Sequence, residues 1–121
     1  MAKPTGTEPP NTDLKPLLDN LQVCLTRLSS VDSAESADLV SQVEASYQQI
    51  FQAFNPRQYR PEQQPYVTEF HKQLRLLGTD VLFLKSARQA ATRTQRLKVI
   101  GDRLQALQGY YSAISNGPSS G

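Results

Sequence analysis

The sequence predicts an all-α fold, an antiparallel four-helix bundle-like domain with a long C-terminal helical hairpin. The main observation is a pair of matching apolar rows, each stepping by 3, 4, 3, 4 and 3 residues. These steps keep every member on one stripe of an α-helix, which a strand of period two cannot do. The rows are Val67, Phe70, Leu74, Leu77, Val81 and Leu84, then Leu97, Ile100, Leu104, Leu107, Tyr111 and Ile114.

A second observation is that four amphipathic segments follow one another with short connections, which favours antiparallel packing of neighbours. With 121 residues, 38% of them hydrophobic, the chain has room for one domain with a real core. We predict a flexible N-terminal arm at residues 1–11, a single helical-bundle domain at 12–115 and a flexible tail at 116–121. The last five residues, Gly-Pro-Ser-Ser-Gly, resemble a vector-derived linker.

The first two helices are predicted at residues 13–29 and 34–54. Leucines recur at helical spacing through the first helix. The second ends before Pro56, because the residue that precedes a proline is pushed out of helical geometry. Candidate caps precede both helices, namely Asn11 or Thr12 for the first and Asp32 or Ser33 for the second.

The third and fourth helices are predicted at residues 61–90 and 92–115. Pro61 suits the first position of a helix, and the turn at residues 90–94 is short enough to require an antiparallel return. Thr92 followed by Gln95 has the form of a capping box that opens the fourth helix, and Thr94 is the alternative cap.

Pairing the two apolar rows across this turn predicts which residues of the hairpin are neighbours. Asp80 falls beside Arg103 as a candidate interhelical ion pair, and Phe70 falls beside Ile114. The alternative for Asp80 is contact with solvent alone. Two glycines interrupt the fourth helix, and either is a candidate for a close approach between helices: Gly101 and Gly109.

The sequence offers little catalytic equipment. Cys24, the one cysteine, has the spacing of a core position, and His71, the one histidine, falls just off the core stripe. Phosphate loops, dinucleotide fingerprints, zinc motifs and calcium loops are missing from the sequence, as is a convincing pair of carboxylates. We therefore expect a protein that is not an enzyme and that uses no cofactor or metal.

The hydropathy of the sequence predicts where in the cell the protein is located. No stretch reaches the roughly 18 consecutive apolar residues that suggest a membrane span, and the N-terminal residues show no secretory signal. We expect a cytoplasmic protein without a membrane role, because the bundle already uses the apolar stripes.

Charge is distributed unevenly along the chain. Residues 57–103 hold ten Lys or Arg and four Asp or Glu, a net charge of +6, whereas the remainder carries −4. The cations gather around the turn of the hairpin, and six of them are candidate partner-binding residues: Arg75, Lys85, Arg88, Arg93, Arg96 and Lys98.

Three interpretations of these cations stay open. They are a solvated face that keeps the protein soluble, a docking surface for an acidic protein partner, or a site for nonspecific binding of nucleic acid phosphates. Nucleic acid is the least favoured, because no recognition-helix motif is present and aromatic residues do not alternate with the cations.

The strings KQLRLLGTDVLFLKSARQ at residues 72–89 and ATRTQRLKVIGDRLQAL at residues 91–107 resemble the C-terminal half of the cyanobacterial heterocyst frequency control protein PatD family. Residues 1–60 match that family in helical pattern alone. The resemblance implies an all-helical, non-enzymatic regulator of heterocyst differentiation. It also implies association with FtsZ, the acidic tubulin-like GTPase of cell division, and therefore a link to the division machinery.

Three apolar residues lie off the main row of the third helix. Leu76, Leu82 and Phe83 either widen the core face or form the seed of a dimer. The sequence leaves monomer and homodimer both open.

Overall fold

The computed structural model describes residues 13–30 and 33–116. These ranges contain α1 (Lys15–Ser30), α2 (Ser33–Ala53), α3 (Gln64–Ser86) and α4 (Ala90–Asn116), and no strand. Two single-turn 3₁₀ segments, Pro56–Gln58 and Pro61–Gln63, connect α2 to α3. The predicted all-α, bundle-like fold with a long C-terminal hairpin is confirmed.

The four helices form a ring in which each helix packs antiparallel against the next. A polar contact crosses each of the four interfaces, and at the interface of α1 with α4 the residue that precedes α1 meets the last turns of α4. The joining pairs are Asn20 with Ser46, Glu44 with Lys85, Asp80 with Arg103, and Leu14 with Tyr111.

The core lies inside this ring and contains the two predicted rows. All six members of the first row are buried, as are Ile100, Leu104, Leu107 and Ile114 of the second. Leu97 and Tyr111 pack against the core while remaining half-buried. Cys24 is also buried, as its spacing predicts.

The hairpin turn lies earlier in the chain than predicted. Ala87 has extended backbone and donates its N–H to the Leu84 carbonyl at 3.2 Å, which ends α3 four residues before the expected end. The Arg93 N–H donates a hydrogen bond to the Gln89 carbonyl at 3.0 Å, and α4 begins at Ala90, before Thr92. The predictions of a turn at residues 90–94 and of a capping box at Thr92 were wrong.

The start of α3 also differs. Pro61 opens a 3₁₀ turn, as the fixed φ of proline allows, and the α-helix itself begins only at Gln64 with Pro65 in its first turn. The predicted helix of residues 61–90 is therefore a 3₁₀ turn, a helix of 23 residues and a short connection.

At the two ends, part of the prediction lies outside the described residues. This applies to the arm at residues 1–11, to the caps Asn11, Thr12 and Asp32, and to residues 117–121 of the tail. Within the described part, Asp13 Oδ1 accepts the Lys15 N–H at 3.1 Å at the start of α1. Asn116, which was assigned to the tail, is the last residue of α4.

The predicted register of the hairpin is confirmed at its centre. Arg103 Nε donates to Asp80 Oδ2 at 2.6 Å, and Arg103 Nη1 donates to Gln73 Oε1 at 3.1 Å. Closer to the open end of the hairpin, the Phe70 ring centroid lies 6.1 Å from that of Tyr111, about one helical turn before the predicted neighbour Ile114.

Candidate protein-binding surface

The outward side of α3 carries large apolar side chains that the core does not cover. Leu76, Leu82 and Phe83 are 39%, 59% and 48% exposed, and Phe51 of the neighbouring α2 is 43% exposed. The alternative in which these α3 residues widen the core is therefore wrong. They form an apolar surface that the core residues leave largely exposed.

Phe83 and Arg96 form a contact across the α3–α4 seam. The Arg96 guanidinium carbon lies 4.6 Å from the centroid of the Phe83 ring, which is a cation–π distance. Arg93 lies one turn before Arg96, and Arg88 lies in the connection between the helices. We call Phe83, Arg88, Arg93 and Arg96 the α3–α4 edge.

Two of the six predicted cations are engaged in ion pairs. Lys85 Nζ lies 2.9 Å from Glu44 Oε2 across the α2–α3 seam, and Lys98 Nζ lies 3.5 Å from Asp102 Oδ2 on α4. The other four, Arg75, Arg88, Arg93 and Arg96, form no ion pair with an acidic residue in the described part of the chain.

The structure divides the six predicted residues among three places. Arg88, Arg93 and Arg96 are at the α3–α4 edge. Lys98 is about 160° around α4 from the buried Ile100 and therefore faces outward, away from the seam. Arg75 and Lys85 are on the side of α3 that faces α2.

Arg75 lines an open groove between α2 and α3. The groove has a volume of about 360 Å³, and its wall includes Tyr47, Phe51, Gly78 and Leu82. We call these five residues the α2–α3 groove. Thr68, His71 and Lys72 line a second depression farther along α3, which shares Arg75 and Thr79 with the groove.

Gly78 allows the Tyr47 side chain to lie directly on α3. A Cβ atom at residue 78 would be 2.9 Å from Tyr47 Cζ and still closer to Tyr47 Oη, which is tighter than side chains tolerate. Nothing lies within 4 Å of a Cβ built at Gly101 or Gly109. The close helix approach is therefore at Gly78, and its prediction at Gly101 or Gly109 was wrong.

Electrostatics in the groove centre on Tyr47. Burial raises the pKa of its hydroxyl, while the positive charge of Arg75 acts in the opposite direction. Among the described residues, Tyr47 Oη has no hydrogen-bond partner, although the residue is only 9% exposed. Tyr47 is thus a buried donor beside a guanidinium that has no carboxylate partner.

A polar cluster lies at the opposite end of the bundle, where α1 begins. Tyr111 Oη donates to Asp13 Oδ1 at 2.8 Å and accepts the Leu14 N–H at 3.0 Å. The Lys15 backbone N–H, and then the Tyr111 hydroxyl, lower the pKa of Asp13. Burial, followed by the charges of Tyr111 and Asp13, raises the pKa of Tyr59 to about 12.

Other candidate sites gain no support within the described ranges. Residues 13–30 and 33–116 contain no group of three or more His, Cys, Asp or Glu side chains placed to hold a metal ion. No helix in those ranges is both long and apolar enough to cross a membrane. His71 is half-buried, off the core stripe as predicted, with its ring centroid 5.7 Å from that of Phe54.

Comparison with protein-family models, curated proteins and solved structures gave no match for this chain. The class of this protein is defined by its own structure: an all-α bundle in which α3 and its seam with α4 present exposed apolar and basic side chains.

Proposed function

We propose that this chain is a non-enzymatic regulatory or adaptor protein that acts by binding a protein partner through the α3–α4 edge. Following the resemblance of residues 72–107, the partner is FtsZ, and the process is cell division or heterocyst differentiation in the cytoplasm of a cyanobacterium. The resemblance carries the identity of the partner, and the edge supplies the chemistry for binding it.

The observation that carries the proposal is the exposed Phe83 ring covered on one side by Arg96. Aromatic and arginine side chains dominate the energetics of protein interfaces, because both bury large areas and arginine adds directional hydrogen bonds. Arg88 and Arg93 extend the positive charge beyond this pair without a described acid to neutralise it. Such a surface complements an acidic protein and would guide its approach.

The test is charge reversal at the edge. We expect Arg88→Glu combined with Arg96→Glu to weaken binding of purified FtsZ in a pull-down by about tenfold, since reversal replaces attraction by repulsion. Both side chains are outside the core, so circular dichroism should show an unchanged helical content.

The matched control is Arg57→Glu combined with Arg60→Glu. This variant changes the net charge by the same amount at exposed positions between α2 and α3, at the opposite end of the bundle. It should bind FtsZ as the unaltered chain does. Equal weakening by both variants, or no weakening by the edge variant, would remove the α3–α4 edge from the proposal.

Nucleic acid binding predicts a different result. A gel shift at two salt concentrations would show a complex that weakens steeply with salt, because binding releases counterions from the phosphates and added salt opposes that release. We expect no such complex, and its appearance, abolished by the same edge variant, would replace the protein partner by a polyanion.

A further inference from the structure

The α2–α3 groove is a second surface, separate from the α3–α4 edge. Phe51 on α2 and Leu82 on α3 form its apolar sides, and both are more than two-fifths exposed. The Phe51 ring centroid lies 5.9 Å from that of Tyr47, and Tyr47 in turn lies against Gly78. The sides of the groove are thus held by packed aromatic rings rather than by mobile loops.

Two hydrogen-bond donors in the groove have no described acceptor. The Tyr47 residue is only 9% exposed, and burying a hydroxyl without a partner costs free energy. Arg75 is exposed and pairs with no described acid. A guanidinium and a phenol that point into one groove together suit a carboxylate, which accepts hydrogen bonds from both.

The dimensions indicate a helical ligand. The groove and the adjoining depression extend along α3 from Thr68 to Leu82, which is about 21 Å, or four turns of an α-helix. An amphipathic helix laid in a groove between two helices presents apolar anchors at every third or fourth position, as such docking requires.

Charge argues against a second copy of this chain as the ligand. The outer side of α3 carries Lys72 and Arg75 without a described acid partner, and Glu44, the acid that lines the groove, is already paired with Lys85 at 2.9 Å. Two copies placed face to face would therefore bring like charges together. An acidic helix avoids this repulsion and gives the two donors an acceptor.

We infer that the α2–α3 groove binds an acidic amphipathic helix of a protein partner. A carboxylate of that helix accepts hydrogen bonds from Arg75 and Tyr47 Oη, and its apolar side chains cover Phe51 and Leu82. The inference rests on the proposed function in that the chain acts by binding protein, but it uses a different surface and is tested without FtsZ.

The probe is a labelled helical peptide of about 14 residues, with leucines at positions i, i+3 and i+7 and glutamates beside them. A second peptide carries glutamine in place of each glutamate. In fluorescence anisotropy, we expect the full chain to bind the glutamate peptide at least about tenfold more tightly, because charged hydrogen bonds contribute more than neutral ones.

Three single variants examine the groove itself. Tyr47→Phe removes only the hydroxyl, Arg75→Gln removes the charge, and Leu82→Ala removes an exposed apolar side chain. We expect Tyr47→Phe and Arg75→Gln each to weaken the glutamate peptide about fivefold to tenfold and to leave the glutamine peptide nearly unaffected. Leu82→Ala should weaken both peptides.

Matched controls separate the groove from general surface effects. Val23→Ala alters an apolar residue on α1 that is 49% exposed, against 59% for Leu82, and α1 is not a neighbour of α3. Arg57→Gln removes a cation at the end of the bundle. Neither should change peptide binding, and the Arg88→Glu, Arg96→Glu edge variant should change it no more than the Arg57→Glu, Arg60→Glu variant of equal charge does. If the edge variant loses FtsZ binding but still binds the peptide, the two surfaces are separate, and that loss bears on the α3–α4 edge alone.

Any of three results would overturn the inference. The first is equal affinity for the two peptides, and the second is equal weakening by Leu82→Ala and Val23→Ala. The third is a concentration-dependent dimer in light scattering that Leu82→Ala abolishes, since the groove would then belong to a second copy.

Discussion

At the scale of single residues, the contact between Tyr47 and Gly78 organises one side of α3. Glycine usually weakens a helix because its backbone loses more freedom on folding than that of alanine does. Here the missing side chain makes room for a tyrosine ring. Gly78 therefore differs from Gly101 and Gly109, where a side chain would meet no neighbour. Substitution by alanine should reveal this difference.

Replacing Gly78 by alanine should lower the free energy of unfolding by about 1 kcal/mol. Overpacking against Tyr47 costs about 1–3 kcal/mol and exceeds the gain of about 1 kcal/mol in helix propensity. Gly101→Ala meets no neighbour and should instead raise stability by up to about 1 kcal/mol. Urea unfolding of both variants measures the difference.

A double variant makes the cause of that loss testable. Tyr47→Phe removes the atom closest to the new Cβ, so Gly78→Ala should cost less in a Tyr47→Phe background than alone. If Gly78→Ala stabilises the chain as much as Gly101→Ala does, the Tyr47 side chain moves aside freely and the close approach has no energetic weight.

At the scale of helices, Asp80 and Arg103 fix how α3 and α4 pair. The Asp80 side chain is 8% exposed, and Arg103, 24% exposed, also bonds Gln73. A buried pair stabilises little in itself, but loss of one partner leaves a charge without compensation. The main effect of this ion pair is therefore to fix the register between α3 and α4.

We expect Asp80→Ala to lower the free energy of unfolding by about 2–4 kcal/mol, because Arg103 would keep a partly buried, unpaired charge. Asp80→Leu combined with Arg103→Leu should cost less than Asp80→Ala. Lys98→Ala breaks an exposed pair and should change stability by at most about 0.5 kcal/mol. Thermal and urea unfolding compare the three, and a cost for Asp80→Ala as small as that for Lys98→Ala would refute this role.

The helical elements were largely predictable from the sequence, and their reasons are physical. The two apolar rows, the burial of Cys24 and the Asp80–Arg103 pair follow from a period of 3.6 residues and a short antiparallel return. The turn was misplaced because residues 87–91 lack glycine and proline, so nothing in the sequence marks where α3 ends.

The candidate surface was predictable only in part. The exposed cations of α3 and α4 are visible in the sequence, but the pairing of Lys85 with Glu44 depends on the register of α2 against α3, which no short turn fixes. The α2–α3 groove was missed for the same reason. Its one available signal was Gly78 inside a long apolar helix.

At the scale of the whole molecule, ionisable side chains gather at the end of the bundle where α1 begins and α4 ends. The pKa of Asp13 is lowered by the Lys15 N–H and the Tyr111 hydroxyl, and burial raises that of Tyr59 to about 12. The lowered pKa of Asp13 stabilises the folded chain at pH values above the usual pKa of the group, near 3.8. The raised pKa of Tyr59 stabilises the folded chain at pH values below about 10, the usual pKa of tyrosine.

Stability should therefore fall on both sides of neutrality for different reasons. As the pH falls below about 4, protonation of Asp13 removes its contribution, and as the pH rises from about 10 to 12, ionisation of Tyr59 removes another. We expect Asp13→Asn to flatten the acid side of the stability profile and Tyr59→Phe the alkaline side, as measured by urea unfolding at each pH. An alkaline profile unchanged in Tyr59→Phe would assign that loss to other tyrosines.

The Tyr111 contact with Asp13 and Leu14 has a topological consequence. It places the start of α1 beside the last turns of α4, so the ring of helices closes on itself and has no first member in space. The four helix pairings therefore do not depend on which helix comes first in the chain. A circularly permuted chain, bridged between α4 and α1 and opened within Ala87 to Gln89, would retain all four helix pairings.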